Sequence, residues 1–326
     1  MGDLLFGIAA IALGVAGSWG LYWLLDRAVM AFPERIQEKI RALGFLLPAV
    51  VLILVVSLIP LAQTIVLSFM DNSGKKFVGL QNYTDLFGDK EFGSLLLNNF
   101  LWVAFVPAVT VGIGLLFATL TNNVGPSREK IFKSVIFMPM AISFVSAATM
   151  WSLAYNFAAP GRPQIGMLNA IIQALGGTPQ PWMTIDSGRL NSFLLMIIVV
   201  WLQAGFSMVL LSAAIKAVPE ETIEAARVDG ANGLQVFFRV IMPQIRSTVM
   251  AVFITVLITV MKIFDIVLAM TGGNFNTSVL AFEYYKQYFL NANAGPASAI
   301  IVILTILIAP LMWIQIRTAR HQETLR

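Results

Sequence analysis

The chain has 326 residues, of which 58% are hydrophobic and 12% charged, and its mean hydropathy is +0.81. Soluble domains carry roughly 25% charged residues, so this composition excludes a soluble globular protein, and its high apolar content excludes a disordered one. Cysteine is absent and His321 is the single histidine, which excludes a disulfide framework, a thiol nucleophile, a cysteine-ligated or histidine-cluster metal site and a serine triad built on an internal histidine.

Seven apolar stretches are each long enough to cross a bilayer, whose hydrocarbon core needs roughly 20 apolar residues per helix. Membrane helices tolerate the prolines and glycines within them where neighbouring helices satisfy the backbone. The sequence therefore predicts an all-α membrane protein, a bundle of about seven transmembrane helices. The predicted spans are approximately Leu4–Leu25, Leu43–Phe69, Ser94–Leu120, Ser134–Phe157, Asn191–Ile215, Thr248–Met270 and Ala297–Ile316.

The distribution of basic residues predicts how these spans are oriented. If the C-terminus is cytoplasmic, the inner segments hold 14 of the 21 lysines and arginines, the outer segments hold six, and Lys262 lies inside a span. Because basic residues concentrate in cytoplasmic loops, the N-terminus is predicted outside and the C-terminus inside. The first span could instead be a signal peptide, but Met1–Asp3 carries no basic residue and the apolar run is long, which favours a retained span.

One cytoplasmic loop, Lys216–Ser247, is too long for a tight connection. Pro219 followed by two glutamates predicts a helix start, since proline fits the first helical position and acidic side chains suit the positive end of the helix dipole. Gly230 marks a break, and a second short helix is predicted at Leu234–Ile241, before Pro243. A helix–turn–helix of this kind, held below the membrane, favours docking of a cytoplasmic partner.

The same loop resembles the EAA loop of permeases in binding-protein-dependent ABC importers. Glu224-Ala225-Ala226, three residues, Gly230, nine residues and then Val240-Ile241-Met242-Pro243 follow the family spacing. The usual pattern ends Ile-x-Leu-Pro, so Val240 and Met242 are mild departures. Two further stretches, Phe77–Tyr83 and Phe264–Gly273, are similar to segments of the maltose-type and alpha-glucoside-type carbohydrate permeases.

This resemblance implies a type I ABC importer permease fold over residues 43–326, with the EAA loop at 216–247. Residues 1–42 would add an N-terminal transmembrane helix and a cytoplasmic connector. The chain would be the permease subunit of an ATP-driven importer of carbohydrate, an alpha-glucoside or oligosaccharide, in the bacterial cytoplasmic membrane. It would be a transport subunit rather than an enzyme.

The resemblance also implies partners. They would be a second homologous permease, two ATPase subunits, a soluble sugar-binding receptor, the carbohydrate and membrane lipid, but no nucleic acid. No cofactor is expected in this chain, since it has no G-x-x-x-x-G-K-[ST] phosphate loop. ATP and magnesium would be bound by the ATPase subunits.

The residues that the resemblance assigns to coupling with the ATPase lie in the EAA loop. Glu224 could pair with a basic group of the ATPase, or could only support its own helix against Arg227, three positions later. The presence of the whole spaced pattern favours the docking role. The coupling set is Glu224, Ala225, Ala226, Asp229, Gly230 and Pro243.

A substrate path is predicted from polar residues at membrane depth, which are functional candidates by default. Lys262 and Asp265, at i and i+3 of the predicted sixth span, either neutralise each other or line the path, and Thr259 lies one turn earlier on about the same face. By resemblance to the maltose permease, Leu202 and Gln203 match sugar-contacting positions. Gln203 could instead form a helix–helix hydrogen bond.

Ser143, which follows Pro139 in the predicted fourth span, also lies in a region to which the resemblance points for sugar contacts. Its hydroxyl could instead bond only to its own helix backbone. Both interpretations stay open at the level of sequence.

Three other classes of protein compete with the importer as explanations of the sequence. An ion-coupled secondary transporter would use Lys262 and Asp265 as an ion or proton relay, but would not explain the EAA loop. An intramembrane enzyme lacks an evident acid–base or metal set in this sequence. A structural membrane scaffold also leaves the EAA loop without a role.

Overall fold

The computed structural model describes residues 2–30, 46–159 and 161–323, and the chain falls into two units, Met1–Val66 and Leu67–Arg326. The regular structure of the described residues is helical, apart from an isolated bridge between Met70 and Phe77. The predicted cytoplasmic connector, residues 31–42, lies outside the described residues.

Two long helices begin in the first unit. The 28-residue helix α1 (Gly2–Val29) occupies the position of the first predicted span, and α2 (Leu46–Leu67) that of the second. Within α2, Leu54–Leu58 forms a π turn in which the N–H of Ile59 donates to the carbonyl of Leu54. This widened turn ends two residues before Pro60, which has no N–H to donate. None of the apolar window of α2 is buried in the chain, so its surface is available to lipid or to a partner.

The second unit contains eleven of the helices that the structure describes. Within residues 46–159 and 161–323, five helices are long and apolar enough to cross a bilayer, namely α2, α4, α8, α10 and α13, and α5 with α6 would make a sixth. The predicted all-α membrane architecture is thus confirmed, whereas the predicted number of about seven spans is not. The bounds are α3 (Gln81–Gly88), α4 (Lys90–Asn122), α5 (Pro126–Phe137), α6 (Phe144–Ala154), α7 (Met167–Ala174), α8 (Leu190–Lys216), α9 (Glu220–Val228), α10 (Gly233–Met261), α11 (Asp265–Met270), α12 (Leu280–Tyr285) and α13 (Ala294–Glu323).

The main core lies along α4 and α8, which pack closely because small residues meet between them. A Cβ on Gly114 of α4 would lie 2.6 Å from the Cβ of Ser207 on α8, closer than two such atoms can approach. Small residues at a helix interface let backbones approach in membrane bundles, where dispersion contacts replace the hydrophobic effect as the driving force. The largest fully buried side chains here include Trp102, Leu195 and Met208.

The predicted fourth span, Ser134–Phe157, is not one continuous helix. Helix α5 begins earlier, at Pro126, and passes into a 3₁₀ turn at Met138–Ala141, after which α6 departs at an angle of 101°. Pro139 within the turn cannot donate to the helical ladder, and Ile142 then adopts an extended conformation. Pro139, which the sequence predicts to lie within a continuous span, therefore takes part in a sharp bend.

The predicted sixth span and the second helix predicted within the loop at 216–247 also differ from expectation. The helix predicted at Leu234–Ile241 is not separate, because it is the start of α10, and Pro243 lies inside that helix after a π turn at Phe237–Ile241. The span predicted at Thr248–Met270 ends early, at Met261. Phe264, with φ −143° and ψ −48°, breaks the helix before α11 starts.

Candidate functional site

A cavity of about 380 Å³ lies where α5 bends into α6. Three separate elements contribute to its wall: the bend itself, the middle of α8 and the first residue of α11. It therefore brings together four of the six residues predicted for the substrate path, although they come from distant parts of the chain. The lining residues are Met140, Ile142, Ser143, Phe144, Val145, Leu202, Gln203 and Asp265.

Ser143 lies at the bend because it is the N-cap of α6. Its backbone is extended, and its hydroxyl oxygen accepts the N–H of Ser146 at 3.2 Å, so that it caps the helix. The same hydroxyl lies 2.9 Å from the hydroxyl of Ser146. The expectation that Ser143 bonds its own helix backbone is met, and the side chain still lines the cavity.

Gln203 and Asp265 present uncommitted polar groups to this cavity. Both are half-buried, and within the described residues neither side chain forms a hydrogen bond or an ion pair. The helix–helix hydrogen bond considered for Gln203 is therefore not formed within the described residues. An amide both donates and accepts, while an ionised carboxylate only accepts. Together with the Ser143 hydroxyl, the pair could bind a ligand rich in hydroxyl groups.

Lys262 and Thr259 do not line this cavity. Lys262 is the exposed C-cap of α10, and its Nζ forms no ion pair with the Asp265 carboxylate in the described part of the chain. The hydroxyl of Thr259 donates to the carbonyl of Thr255 in its own helix at 3.0 Å. Mutual neutralisation of Lys262 and Asp265 is thus wrong, because the helix breaks between them and the i, i+3 relation does not exist.

The first helix predicted within the loop at 216–247 is present as α9, and none of its residues is buried. Pro219 is its N-cap, two glutamates occupy its first turn, and Arg227 lies in its last turn. The charges therefore match the helix dipole at both ends. Glu224 is exposed and forms no ion pair with Arg227 within the described residues, so its carboxylate is available to a partner.

The turn after α9 depends on Gly230. Its φ is +83°, in the left-handed region where glycine carries no steric penalty. The N–H of Ala231 donates to the carbonyl of Ala226 at 3.0 Å, and that of Gly230 to the carbonyl of Arg227 at 3.0 Å, which closes the end of the helix. Asn232 and Gln235 then form a capping box that starts α10.

The turn also carries apolar side chains that nothing in the described chain covers. Val228 is 87% exposed and Leu234 is 72% exposed, and Phe238 is exposed on the following turn of α10. The exposed side chains of residues 220–238 together form what we call the α9 surface. Exposed apolar groups beside uncommitted carboxylates are typical of a surface that binds another protein.

A charged cluster at one end of α5 and α8 was not predicted as functional. Glu129 lies within hydrogen-bonding distance of both Lys133 and Lys216, and Lys133 also contacts the hydroxyl of Ser212. At the level of sequence, the two lysines contribute only to the predicted orientation. The i, i+4 spacing of Glu129 and Lys133 was a readable signal, but the approach of Lys216 depends on how α5 and α8 pack.

The sequence matches a family model described as binding-protein-dependent transport system inner membrane component, over residues 110–321. It is 43% identical to the alpha-glucoside transport system permease protein AglF of Rhizobium meliloti, with 97% of this chain and 96% of that protein covered. It is 44% identical to the osmoprotective compounds uptake permease protein GgtC of Synechocystis sp., with 86% of this chain and 100% of that protein covered.

A solved structure resembles the fold. The similar chain belongs to a bacterial alginate ABC transporter in complex with an alginate pentasaccharide-bound periplasmic protein. The TM-score is 0.75, with 88% of this chain and 96% of that chain covered. At 19% sequence identity, this likeness supports the fold alone.

Proposed function

Because the chain belongs to the family of inner membrane components of binding-protein-dependent transport systems, we propose that it is the permease subunit of an ATP-driven importer of carbohydrate. One observation carries the mechanism: Gln203 at the cavity and Lys216 lie on the same helix, α8. Lys216 is the last residue of α8 and lies four residues before the start of α9. At 1.5 Å per residue, the separation of Gln203 and Lys216 along the axis is about 20 Å. A single rigid element therefore joins the cavity to the α9 surface.

We infer that the α9 surface docks on cytoplasmic ATPase subunits. The proposal is supported by the absence of buried residues in α9, by the uncovered Val228 and Leu234, and by the family spacing of Glu224 and Gly230. Binding of a moving partner there would shift α8, and with it the wall of the cavity. Such alternating access about a central site requires a rigid body moved by the partner.

The remaining partners follow from the same proposal. A second, homologous permease would complete the translocation path, two ATPase subunits would bind ATP and magnesium, and a soluble receptor would deliver the sugar from outside. The chain itself would hold no cofactor, since the sequence has no phosphate-binding loop. The unburied apolar face of α2 is one surface that lipid or the second permease could cover.

We propose an alpha-glucoside or related oligosaccharide as the substrate. The relative that transports alpha-glucosides matches over 97% of this chain, and the cavity offers a hydroxyl, an amide and a carboxylate, the groups that bind sugar hydroxyls. The relative that takes up osmoprotective compounds is equally similar, at 44% identity, and supports small osmoprotectants as a second candidate.

We place the N-terminus outside and the C-terminus in the cytoplasm. Besides the distribution of basic residues, Arg27 lies over the ring of Trp23 at 5.2 Å near the end of α1, and Arg317 over the ring of Trp313 at 5.1 Å towards the end of α13. Tryptophan is enriched at membrane interfaces and arginine on the cytoplasmic side. Both pairs lie at the ends that this orientation places inside.

The ion-coupled alternative is not supported. The family is that of binding-protein-dependent systems, and the proposed relay of Lys262 and Asp265 does not exist as a pair. A direct test is to purify the complex through a tag on this chain and reconstitute it in vesicles with its receptor. Uptake of radiolabelled maltose, trehalose or sucrose that requires ATP supports the proposal. Uptake by this chain alone, driven by an ion gradient, would overturn it.

A further inference from the structure

The carboxylate of Glu129 is shared by two ammonium groups from two helices. Its Oε1 accepts from Nζ of Lys133 at 2.5 Å and from Nζ of Lys216 at 2.6 Å. The Glu129 side chain is only 12% exposed, so this pairing is less screened by water than a surface ion pair. Lys133 also contacts the hydroxyl of Ser212, which in turn donates to Oδ1 of Asn122 at 2.7 Å.

The position of this cluster links the two functional parts of the molecule. Glu129 and Lys133 lie on α5, the helix whose far end bends at the cavity. Lys216 is the last residue of α8 and comes shortly before Pro219, the N-cap of α9. The ion pair between Glu129 and Lys216 therefore joins the bent helix to the segment that leads into the α9 surface.

A second contact holds α5 to α8 near the bend. Gly205 of α8 approaches the α5 backbone so closely that a Cβ there would lie 2.3 Å from the carbonyl oxygen of Ile136 and 2.6 Å from Cα of Phe137. Helix α5 is thus fixed to α8 at both of its ends, through Gly205 beside the cavity and through Glu129 at the other end. Two separated contacts oppose rotation of one helix relative to the other.

We propose that Glu129 is a positioning residue for coupling. By holding Lys216 and Lys133 together, it makes α5 and α8 move as one body, so that a displacement of α9 reaches the bend that lines the cavity. The inference rests on the proposed function, because it requires that a partner moves α9. The proposal predicts that loss of the Glu129 carboxylate uncouples ATP hydrolysis from sugar transport. Neither the sugar-binding cavity nor the α9 surface would be lost.

The first test is Glu129→Gln in the reconstituted complex, with sugar uptake and ATP hydrolysis measured separately. Changes along a coupling network typically alter coupling by 0.5–2 kcal/mol, so the sugar moved per ATP should fall roughly two- to thirtyfold. Lys130→Gln removes an exposed charge from the same helix, is absent from the cluster and should leave this ratio unchanged. A normal ratio in Glu129→Gln, at normal complex levels, would overturn the proposal.

A variant of the other residue in the ion pair distinguishes a loss of coupling from a folding defect. Lys216→Met changes a side chain that is 52% exposed, and it should lower the same ratio. Combined with Glu129→Gln, it should add little, because both changes remove the ion pair between Glu129 and Lys216. If neither single variant assembles into a complex, Glu129 is a structural residue and the coupling role is wrong.

A covalent tether tests the rigid link itself. The chain has no cysteine, so Glu129→Cys with Lys216→Cys introduces the only thiols in this subunit. The double variant should be uncoupled until a short bis-maleimide joins the two positions, and cross-linking should then restore the transport ratio. Failure to recover after complete cross-linking would contradict the link. If the unmodified complex imports no sugar with ATP, the proposed function fails instead.

Discussion

Gln203 of α8 and Asp265 of α11 line one cavity, although they are far apart in the chain and neither forms a hydrogen bond within the described residues. The two residues come together because the helix is interrupted. Helix α10 ends at Met261, Phe264 has a non-helical backbone conformation, and Asp265 is the first residue of the short helix α11. Had α10 continued, Asp265 would share a helical face with Lys262. The break separates the two charges and leaves the carboxylate at the cavity wall.

Asp265→Asn should therefore weaken sugar transport without affecting assembly. Hydrogen bonds to charged groups contribute about 1.5–3 kcal/mol, against about 1 kcal/mol between neutral groups. The concentration of sugar-loaded receptor giving half-maximal uptake, or the rate itself, should change by about tenfold. Lys262→Gln is the matched control, since Lys262 does not line the cavity, and it should transport normally. Equal kinetics in both variants and the unmodified chain would remove Asp265 from the path.

Gly205→Ala should destabilise the protein, because the added methyl group would meet the backbone at Ile136 and Phe137 rather than a flexible side chain. Overpacking of this kind typically costs about 1–3 kcal/mol. Gly112→Ala on α4 is the control: its Cβ would meet no atom within 4 Å, and alanine is the better helix former. Thermal unfolding in detergent should show a lower midpoint for the first variant alone. Similar midpoints for both would contradict the close contact.

Gly230→Asp should leave the protein in the membrane but reduce ATP-driven uptake by more than about tenfold, because an unpaired carboxylate buried at a docking interface is costly. The matched control is Gly176→Asp. Gly176 has φ +81°, close to the +83° of Gly230, and at both positions a Cβ would meet no atom within 4 Å. The two changes strain the backbone alike, but Gly176 lies outside the α9 surface. Normal uptake by Gly230→Asp, at normal complex levels, would refute docking through this turn.

The parts of the fold that the sequence made predictable are those controlled by local chemistry. Apolar length located the membrane helices, and Pro219 with the following glutamates located the start of α9, because both signals act within a few residues. The bend at Pro139 and the break at Phe264 were not predictable in the same way, since prolines and aromatic residues also occur in continuous membrane helices.

The candidate site was predictable in part for the same reason. Leu202, Gln203 and Asp265 were identified one by one, but their meeting in a cavity depends on the bend and the break. The pairing of Glu129 with Lys216 joins two helices whose packing is set by Gly205, a small residue without any chemical signal of its own. Local sequence patterns identified individual candidate side chains, whereas tertiary packing determines which of these side chains lie in contact or line the same cavity.

Leu234→Ser tests the apolar part of the α9 surface. Leu234 is 72% exposed beside the turn at Gly230, and burial of a leucine side chain contributes about 1.5–3 kcal/mol. If an ATPase subunit covers it, the change should weaken binding of that subunit by roughly ten- to hundredfold, measured by titrating purified ATPase subunit onto the membrane subunits. Leu175→Ser is the control, because Leu175 is 82% exposed but follows α7, remote in sequence from the α9 surface. Equal affinities for both variants would place the ATPase contact elsewhere.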